Sequence, residues 1–383
     1  MQISSTVKYV GVFDSRIDLF EGQYKVPDGI SYNSYVIIDD KITVMDSVDI
    51  GFTDEWLGNI KNVLGDREPD YLVVQHMEPD HSASIVHFTK AYPNTRIVAS
   101  AKAFSMMKSF FGTDFPEKQI VVKDGDKLHL GSRELIFLGA PMVHWPEVIM
   151  TYDTLDKIFF SADAFGKFGS LDTSYGWADE ARRYYIGIVG KYGAQVQSLL
   201  KKASALEINT ICSLHGPVLS ENLEHYLNLY NKWSSYAPEE DGILIAYTSI
   251  YKNTEKAAHL LFKKLKENEQ TRVEIRDLAR CDISEAVSLA FKYSKLVLAS
   301  PTYNADIFPF MKEFINHLTE RGYSNRTVAF IENGSWAPVA AKVMKSMLEN
   351  SKNLSYTDTT VRINSALNKD SESAILNLAK ELI

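Results

Sequence analysis

The sequence predicts two α/β units in series, a layered domain rich in antiparallel strand and then a doubly wound parallel sheet. Three observations carry this. At 383 residues the chain is long enough for two to three domains. Its first half breaks into short strand-like runs with helical patterns between them, whereas its second half alternates strand and helix regularly. Between the halves, at "NKWSSYAPEEDG" (231–242), Pro, Ser and acidic residues cluster. The boundary falls there, giving domains 1–237 and 238–383.

In the first half, "YKVPDGISYNSYVIIDDKITVMDSV" alternates apolar and polar residues and turns at Asp39–Asp40, as a hairpin would. Helical spacing follows in "TDEWLGNIKNVLG", "SIVHFTKAYP" and "AKAFSMMKSFFG". "KLHLGSRELIFLGAP" and "KIFFSAD" are strand-like, and "DEARRYYIGIVGKYGAQVQSLLKKASAL" carries helical spacing throughout. In the second half five strands ("GILIAYTS", "RVEIRDL", "KLVLASPTY", "RTVAFIENGSW", "LSYTDTTVRI") alternate with five helices, the last running to the C-terminus. That alternation predicts the parallel sheet.

Composition narrows the function classes. Apolar residues are 45% and charged residues 23%, an ordinary globular balance, and the net charge of −8 without a basic run argues against nucleic acid and anionic membranes as partners. No apolar run approaches the ~20 residues of a membrane span. The N-terminus lacks the basic and apolar regions of a signal peptide, so the expectation is cytoplasmic. Cys212 and Cys281 form no CxxC pair, which argues against a built-in rubredoxin or a cysteine-ligated cluster, and both read as buried small hydrophobes.

The chemistry concentrates at "YLVVQHMEPDHSAS". An apolar strand empties into His76, Glu78, Asp80 and His81, with Pro79 stiffening the loop. Three more strand ends close on a ligand-type residue: "FLGAPMVHWPE" on His144, "KIFFSADAFG" on Asp163 and "INTICSLHGPVL" on His215. A lone histidine at a strand end is usually just hydrogen-bonded, but four such ends in one chain argue for a metal site. His87, His129, His225, His259 and His317 lack this context and read as surface or core residues. With three carboxylates among four imidazoles, the set suits non-haem iron better than a zinc hydrolase.

In the second half, "AYTSIYKNTEKAA" puts a Thr/Ser/Asn-rich turn between a strand and a helix N-terminus, an arrangement that suits phosphate. Neither GxGxxG nor GxxxxGK[ST] is present, which argues against a dinucleotide site and a nucleotide P-loop. Two later strand-end loops, "ASPTYNADIFPF" and "IENGSWAPVAA", add polar backbone and the aromatics Tyr303 and Trp336 at the sheet's carboxyl edge.

The cluster–His–Asp–His order resembles the metallo-β-lactamase superfamily, whose HxHxDH motif here carries Glu78 in place of its second histidine. The three later loops resemble those of the flavodoxin family, with Lys252 where the phosphate loop usually has Gly. Together, and with "HWPE" and "EARRYY", the whole chain resembles the flavodiiron proteins (A-type flavoproteins) of the minimal two-domain class. The resemblance implies a metallo-β-lactamase-like αββα sandwich followed by a flavodoxin-like domain. It also implies two irons: His76, Glu78 and His144 on one, Asp80, His81 and His215 on the other, and Asp163 bridging. It implies FMN, with phosphate contacts from Thr248, Ser249, Tyr251, Lys252, Asn253 and Thr254. Ring contacts would come from Pro301, Thr302, Tyr303, Asn304, Asn333, Gly334, Ser335 and Trp336. The implied activity is reduction of O2 to water or of NO to N2O. The implied donor is external: rubredoxin, a flavoprotein reductase or reduced deazaflavin. The implied assembly is a head-to-tail homodimer or a dimer of dimers. Two other readings compete: a dizinc hydrolase with a flavodoxin-like regulatory domain, and an electron-transfer module whose first domain is inert. Tyr184, Tyr185 and Tyr192 are candidate proton donors near the metals, with helix packing as the plainer role.

Overall fold

The computed structural model describes residues 2–172, 176–269 and 271–383. The chain divides into two compact units, Met1–Asn231 and Lys232–Ile383.

The first unit is a sandwich of two sheets. One has six strands in the order Val7–Tyr9, Tyr35–Ile37, Thr43–Met45, Tyr71–Val74, Arg96–Ala99, Gln119–Val121. The hairpin predicted to turn at Asp39–Asp40 is its antiparallel second and third strands; the first strand is also antiparallel to the second, and the last three pairs are parallel. The other sheet runs Lys127–His129, Glu134–Gly139, Ile149–Asp153, Ile158–Phe160, Thr210–Cys212, antiparallel until its last pair. Side-chain alternation decides which face meets which layer. Val73 packs in a cluster with Phe137, Ile149 and Phe160 of the second sheet, whereas its neighbours Leu72 and Val74 pack with Trp56, Ile60 and Phe88 on the helical side. A strand buried on both faces reads as an unbroken apolar run, and "YLVV" is one.

The long helix expected over 179–206 is broken. It runs as Trp177–Tyr184, then a π turn Tyr185–Val189, a short 3-10 turn Gly190–Tyr192, and a second helix Gly193–Ala203. The break coincides with Gly187, Gly190 and Gly193, which lower helix propensity. At Gly187 a Cβ would stand 2.9 Å from the Tyr24 ring, so close approach to that ring requires glycine.

The second unit is the expected parallel sheet. Its first strand, Glu240–Tyr247, lies between the second, Arg272–Asp277, and the third, Tyr293–Tyr303; Thr327–Asn333 follows. The predicted fifth strand is two pieces, Ser355–Tyr356 and Val361–Ile363, both pairing with Thr327–Asn333. Ile243, Ile245, Val297 and Ile331 pack on one face against the helices Asn253–Lys266 and Lys369–Leu382. The order 2-1-3-4-5 puts a switch point at the first strand, and ligands of such sheets bind at the carboxyl ends beside it.

Candidate metal centre and flavin cavity

The strand Tyr71–Val74 ends two residues before His76. Pro79 then opens a single helical turn, Pro79–Ser82, with Glu78 at its N-cap. Proline suits the first helical position because its fixed φ is already helical and its missing N–H would be unpaired there. The turn presents Asp80 and His81 together, and it is anchored by Ser47, whose N–H and hydroxyl both donate to the His81 carbonyl.

The seven predicted ligands converge into two groups, His76–Glu78–His144–Asp163 and Asp80–His81–His215. In the first, His144 Nε2 lies 3.2 Å from His76 Nε2, 3.0 Å from Glu78 Oε2 and 3.0 Å from Asp163 Oδ2. In the second, His81 Nε2 is 3.0 Å from His215 Nε2 and 3.2 Å from Asp80 Oδ2. Asp163 faces both: Oδ2 is 3.3 Å from His76 Nε2, while Oδ1 is 3.4 Å from His81 Nε2. None of the other five histidines belongs to either group; His87, His129, His225 and His259 are exposed and His317 is half-buried.

Residues that the sequence reading passed over orient these rings. Glu147 accepts from His76 Nδ1 and from the Met77 N–H, each at 2.9 Å, and the Ser31 carbonyl accepts from His215 Nδ1 at 2.7 Å. Both contacts fix the proton on Nδ1 and leave Nε2 as a bare lone pair facing the cluster. Asp46 accepts from both the backbone and the side-chain amide of Gln75, holding the segment that leads into His76. The only sequence signal for Glu147 was its place three residues after His144 in "HWPE". Aromatic rings complete the walls. Phe20, Tyr32 and Tyr184 pack on His215, and Trp145 packs on His76. Of the three tyrosines singled out, Tyr184 packs on the His215 ring, Tyr185 packs on Tyr230, and Tyr192 is half-buried.

Do these residues fit metal ions? Two nitrogens each about 2.1 Å from one ion and at right angles to it lie about 3.0 Å apart, which is the spacing of both imidazole pairs. Both Asp80 oxygens and Asp163 Oδ1 are buried without a hydrogen-bond donor, a costly state unless a cation faces them. The electrostatics agree. Burial presses the His81 and His144 imidazoles downward, yet the surrounding carboxylates lift them to about 10 and about 9. Asp163, despite its burial, is held well below the carboxylate range by His76, His144 and His81. The cluster is built for positive charge, and it fits two metal ions sharing Asp163.

In the second unit a cavity of about 590 Å³ opens at the carboxyl edge of the sheet. Eleven of the fourteen predicted flavin residues line it: Ser249, Tyr251, Asn253, Thr254, Pro301, Thr302, Asn304, Asn333, Gly334, Ser335 and Trp336. Thr248, Lys252 and Tyr303 do not. Thr248 is buried, donating to Ser300 Oγ, and Tyr303 packs on Phe308 beside a neighbouring groove. Lys252 sits at φ 65°, ψ 5° as N-cap of Asn253–Lys266, so the turn keeps a left-handed residue without glycine. Ile250, Ala305, Ala337 and Ser365 also line the cavity and were not foreseen. Tyr251 and Trp336 are 85% and 82% exposed at its rim, where planar faces await a planar ligand. The Ser249 hydroxyl is buried without a partner. A volume of this size, a helix N-terminus and flanking aromatic faces fit a phosphorylated flavin.

Comparisons with known proteins agree with both halves. The family model described as ODP family beta lactamase matches residues 30–216. The anaerobic nitric oxide reductase flavorubredoxin of Escherichia coli is 28% identical over 360 residues, covering 91% of this chain and 74% of its own. The flavodiiron protein of Giardia intestinalis superposes with a TM-score of 0.90 at 26% identity, covering 100% of this chain and 96% of its own. Rubredoxin oxygen:oxidoreductase from Desulfovibrio gigas shares the fold, with a TM-score of 0.91 at 24% identity and coverage of 100% and 97%. A metallo-β-lactamase-like unit followed by a flavodoxin-like parallel sheet makes the chain similar to the flavodiiron proteins over its whole length, and these relatives support an oxidoreductase role.

Proposed function

We propose that this oxidoreductase reduces O2 to water, NO to N2O, or both, at a pair of irons held in the first unit and supplied with electrons through FMN held in the second. The observation that carries the reading is Asp163, whose two oxygens face two separate ligand groups as a bridging carboxylate would. His76, Glu78 and His144 hold one iron, and Asp80, His81 and His215 hold the other. The irons and flavin, when bound, supply the stored electrons that converting O2 to water demands. The chain's own residues set the conditions. Glu147 and the Ser31 carbonyl lock His76 and His215 in the ligating tautomer. Phe20, Tyr32 and Trp145 wall the cluster from bulk water, which strengthens every charge interaction inside. An external donor, rubredoxin-like or a flavoprotein reductase, and a second copy of the chain belong to the same reading, as does a cytoplasmic location.

Metal and flavin content of anaerobically purified protein, followed by O2 and NO consumption with chemically reduced enzyme, tests it. About two irons and one FMN per chain with turnover of either gas is the expected result, and the ratio of rates names the substrate. Two zincs and no gas consumption would overturn it in favour of a hydrolase.

A further inference from the structure

His215 is carried by the loop 213–216, which follows the strand Thr210–Cys212. On one side the sheet holds that loop. The Leu214 N–H donates to the Ala162 carbonyl at 2.9 Å, extending the parallel pairing of Ile158–Phe160 with Thr210–Cys212. On the other side the loop meets residues remote in sequence, and Asn33 makes most of the bonds. Asn33 is fully buried between the strands Ile30–Tyr32 and Tyr35–Ile37. Its side-chain amide donates to the Ser213 carbonyl at 2.9 Å and to the Gly216 carbonyl at 2.8 Å, so it brackets His215. Its backbone N–H donates to the Leu214 carbonyl at 2.8 Å.

The surroundings of Asn33 call for an amide. Both of its side-chain protons go to carbonyls, and its Oδ1 accepts from the Tyr9 hydroxyl at 3.0 Å. The Tyr35 hydroxyl adds a second bond to the Ser213 carbonyl at 2.8 Å. Ser31 fixes the tautomer of His215 through Nδ1, but one bond to the ring leaves the position of the loop open. Asn33 settles that position, and a nitrogen that must lie about 2.1 Å from an ion tolerates little displacement. The other ligand group is oriented by a different residue, since Glu147 holds His76.

Resting on the two-ion reading above, we propose that Asn33 is a positioning residue for one metal ion of the pair: by bracketing His215 it makes the Asp80–His81–His215 group able to hold its ion, while the His76–Glu78–His144 group does not need it. Losing a residue that orients a metal ligand lowers metal affinity by about 10- to 100-fold. Asn33→Ala keeps the backbone bond to Leu214 and the tie to Ala162, so the loop stays attached but is free to shift. Asn33→Asp keeps the shape but sets an oxygen against two carbonyls, which separates hydrogen bonding from packing.

The test is iron binding to the metal-free full chain against a competing chelator, for the wild type and both Asn33 variants. Electron paramagnetic resonance of the oxidised, loaded protein is the second readout. The expected result is that one of the two iron affinities falls by about 10- to 100-fold in both variants while the other holds within about threefold. The signal of an isolated ferric ion should then replace that of a spin-coupled pair. In a His215→Ala background, Asn33→Ala should weaken the remaining ion no further, because the group it serves is already lost. Equal weakening of both affinities, no weakening of either, or a further loss in the His215→Ala background overturns the proposal. Thermal melts check folding. If the Asn33 variants do not fold, Tyr9→Phe, which removes only the bond to Asn33 Oδ1, must still weaken one ion selectively by about threefold, and no change there overturns the proposal. A wild type that holds fewer than two irons would instead overturn the two-ion reading itself.

Discussion

In the first unit the candidate site is buried and made of side chains; in the second it is open and made largely of turns. His76, His81 and His215 are fully buried, and the pairs His76–His144 and His81–His215 meet at 3.2 and 3.0 Å, whereas Tyr251 and Trp336 stand out at the rim of their cavity. In the first, a single atom exchanged changes the chemistry. In the second, the ligand is held by many weak contacts, so a single exchange changes affinity modestly. The difference follows from burial: unpaired charge inside a protein is costly, while a surface cavity shares its polar groups with water.

That contrast predicts a ranking of effects. Asp163→Ala should be the most damaging, because both groups lose the carboxylate they share. Metal analysis should find less than one tightly bound ion per chain, and gas consumption should fall by about 100-fold or more, with FMN binding unaffected. Retention of both ions would show that Asp163 is not a bridge. Glu147→Gln comes next. It keeps the shape but weakens the carboxylate that orients His76, and competition with a chelator should show metal affinity lower by about 10- to 100-fold. Glu78→His should leave a metal site but change its taste. Loading with equal iron and zinc should shift the bound ratio toward zinc by about tenfold, since imidazole replaces a harder oxygen ligand. In the cavity, Trp336→Ala should weaken FMN by about fivefold through the loss of one stacking face, with metal content unchanged. Lys252→Gly should matter least. Relief of the left-handed strain and the added freedom of glycine in the unfolded chain oppose each other, so denaturant melts should move by less than about 1 kcal/mol.

Legibility divides along the same line. The seven metal-site residues stood out because His, Asp and Glu at four strand ends are rare together. Glu147 did not, since a glutamate that orients a ring reads like any surface glutamate until its partner at position 76 is beside it. Thr302 illustrates the cavity's difficulty. It lines the space as expected, but its hydroxyl also accepts from the Val339 and Ala340 N–H groups and so caps the helix Ala340–Met347. Ser365 gave no warning at all, because a serine after a last strand is ordinary and its left-handed backbone (φ 71°) leaves no mark in composition. The helix over 179–206 was misjudged for a related reason: apolar spacing suited one helix, while Gly187 answered to Tyr24, far away in sequence.

By itself the sequence determined the element alternation, the change of pattern near residue 237, and the residue types available for a metal pair and a phosphate loop. These are local properties, set by side-chain period and by the chemistry each residue carries wherever it lies. Only the tertiary structure decided that Asp163 faces two groups at once, that Glu147 and the Ser31 carbonyl choose the tautomers, and that Asn333 clasps Ser365 while lining the cavity. Each depends on the distance between atoms remote along the chain, which packing fixes and the order of residues leaves open.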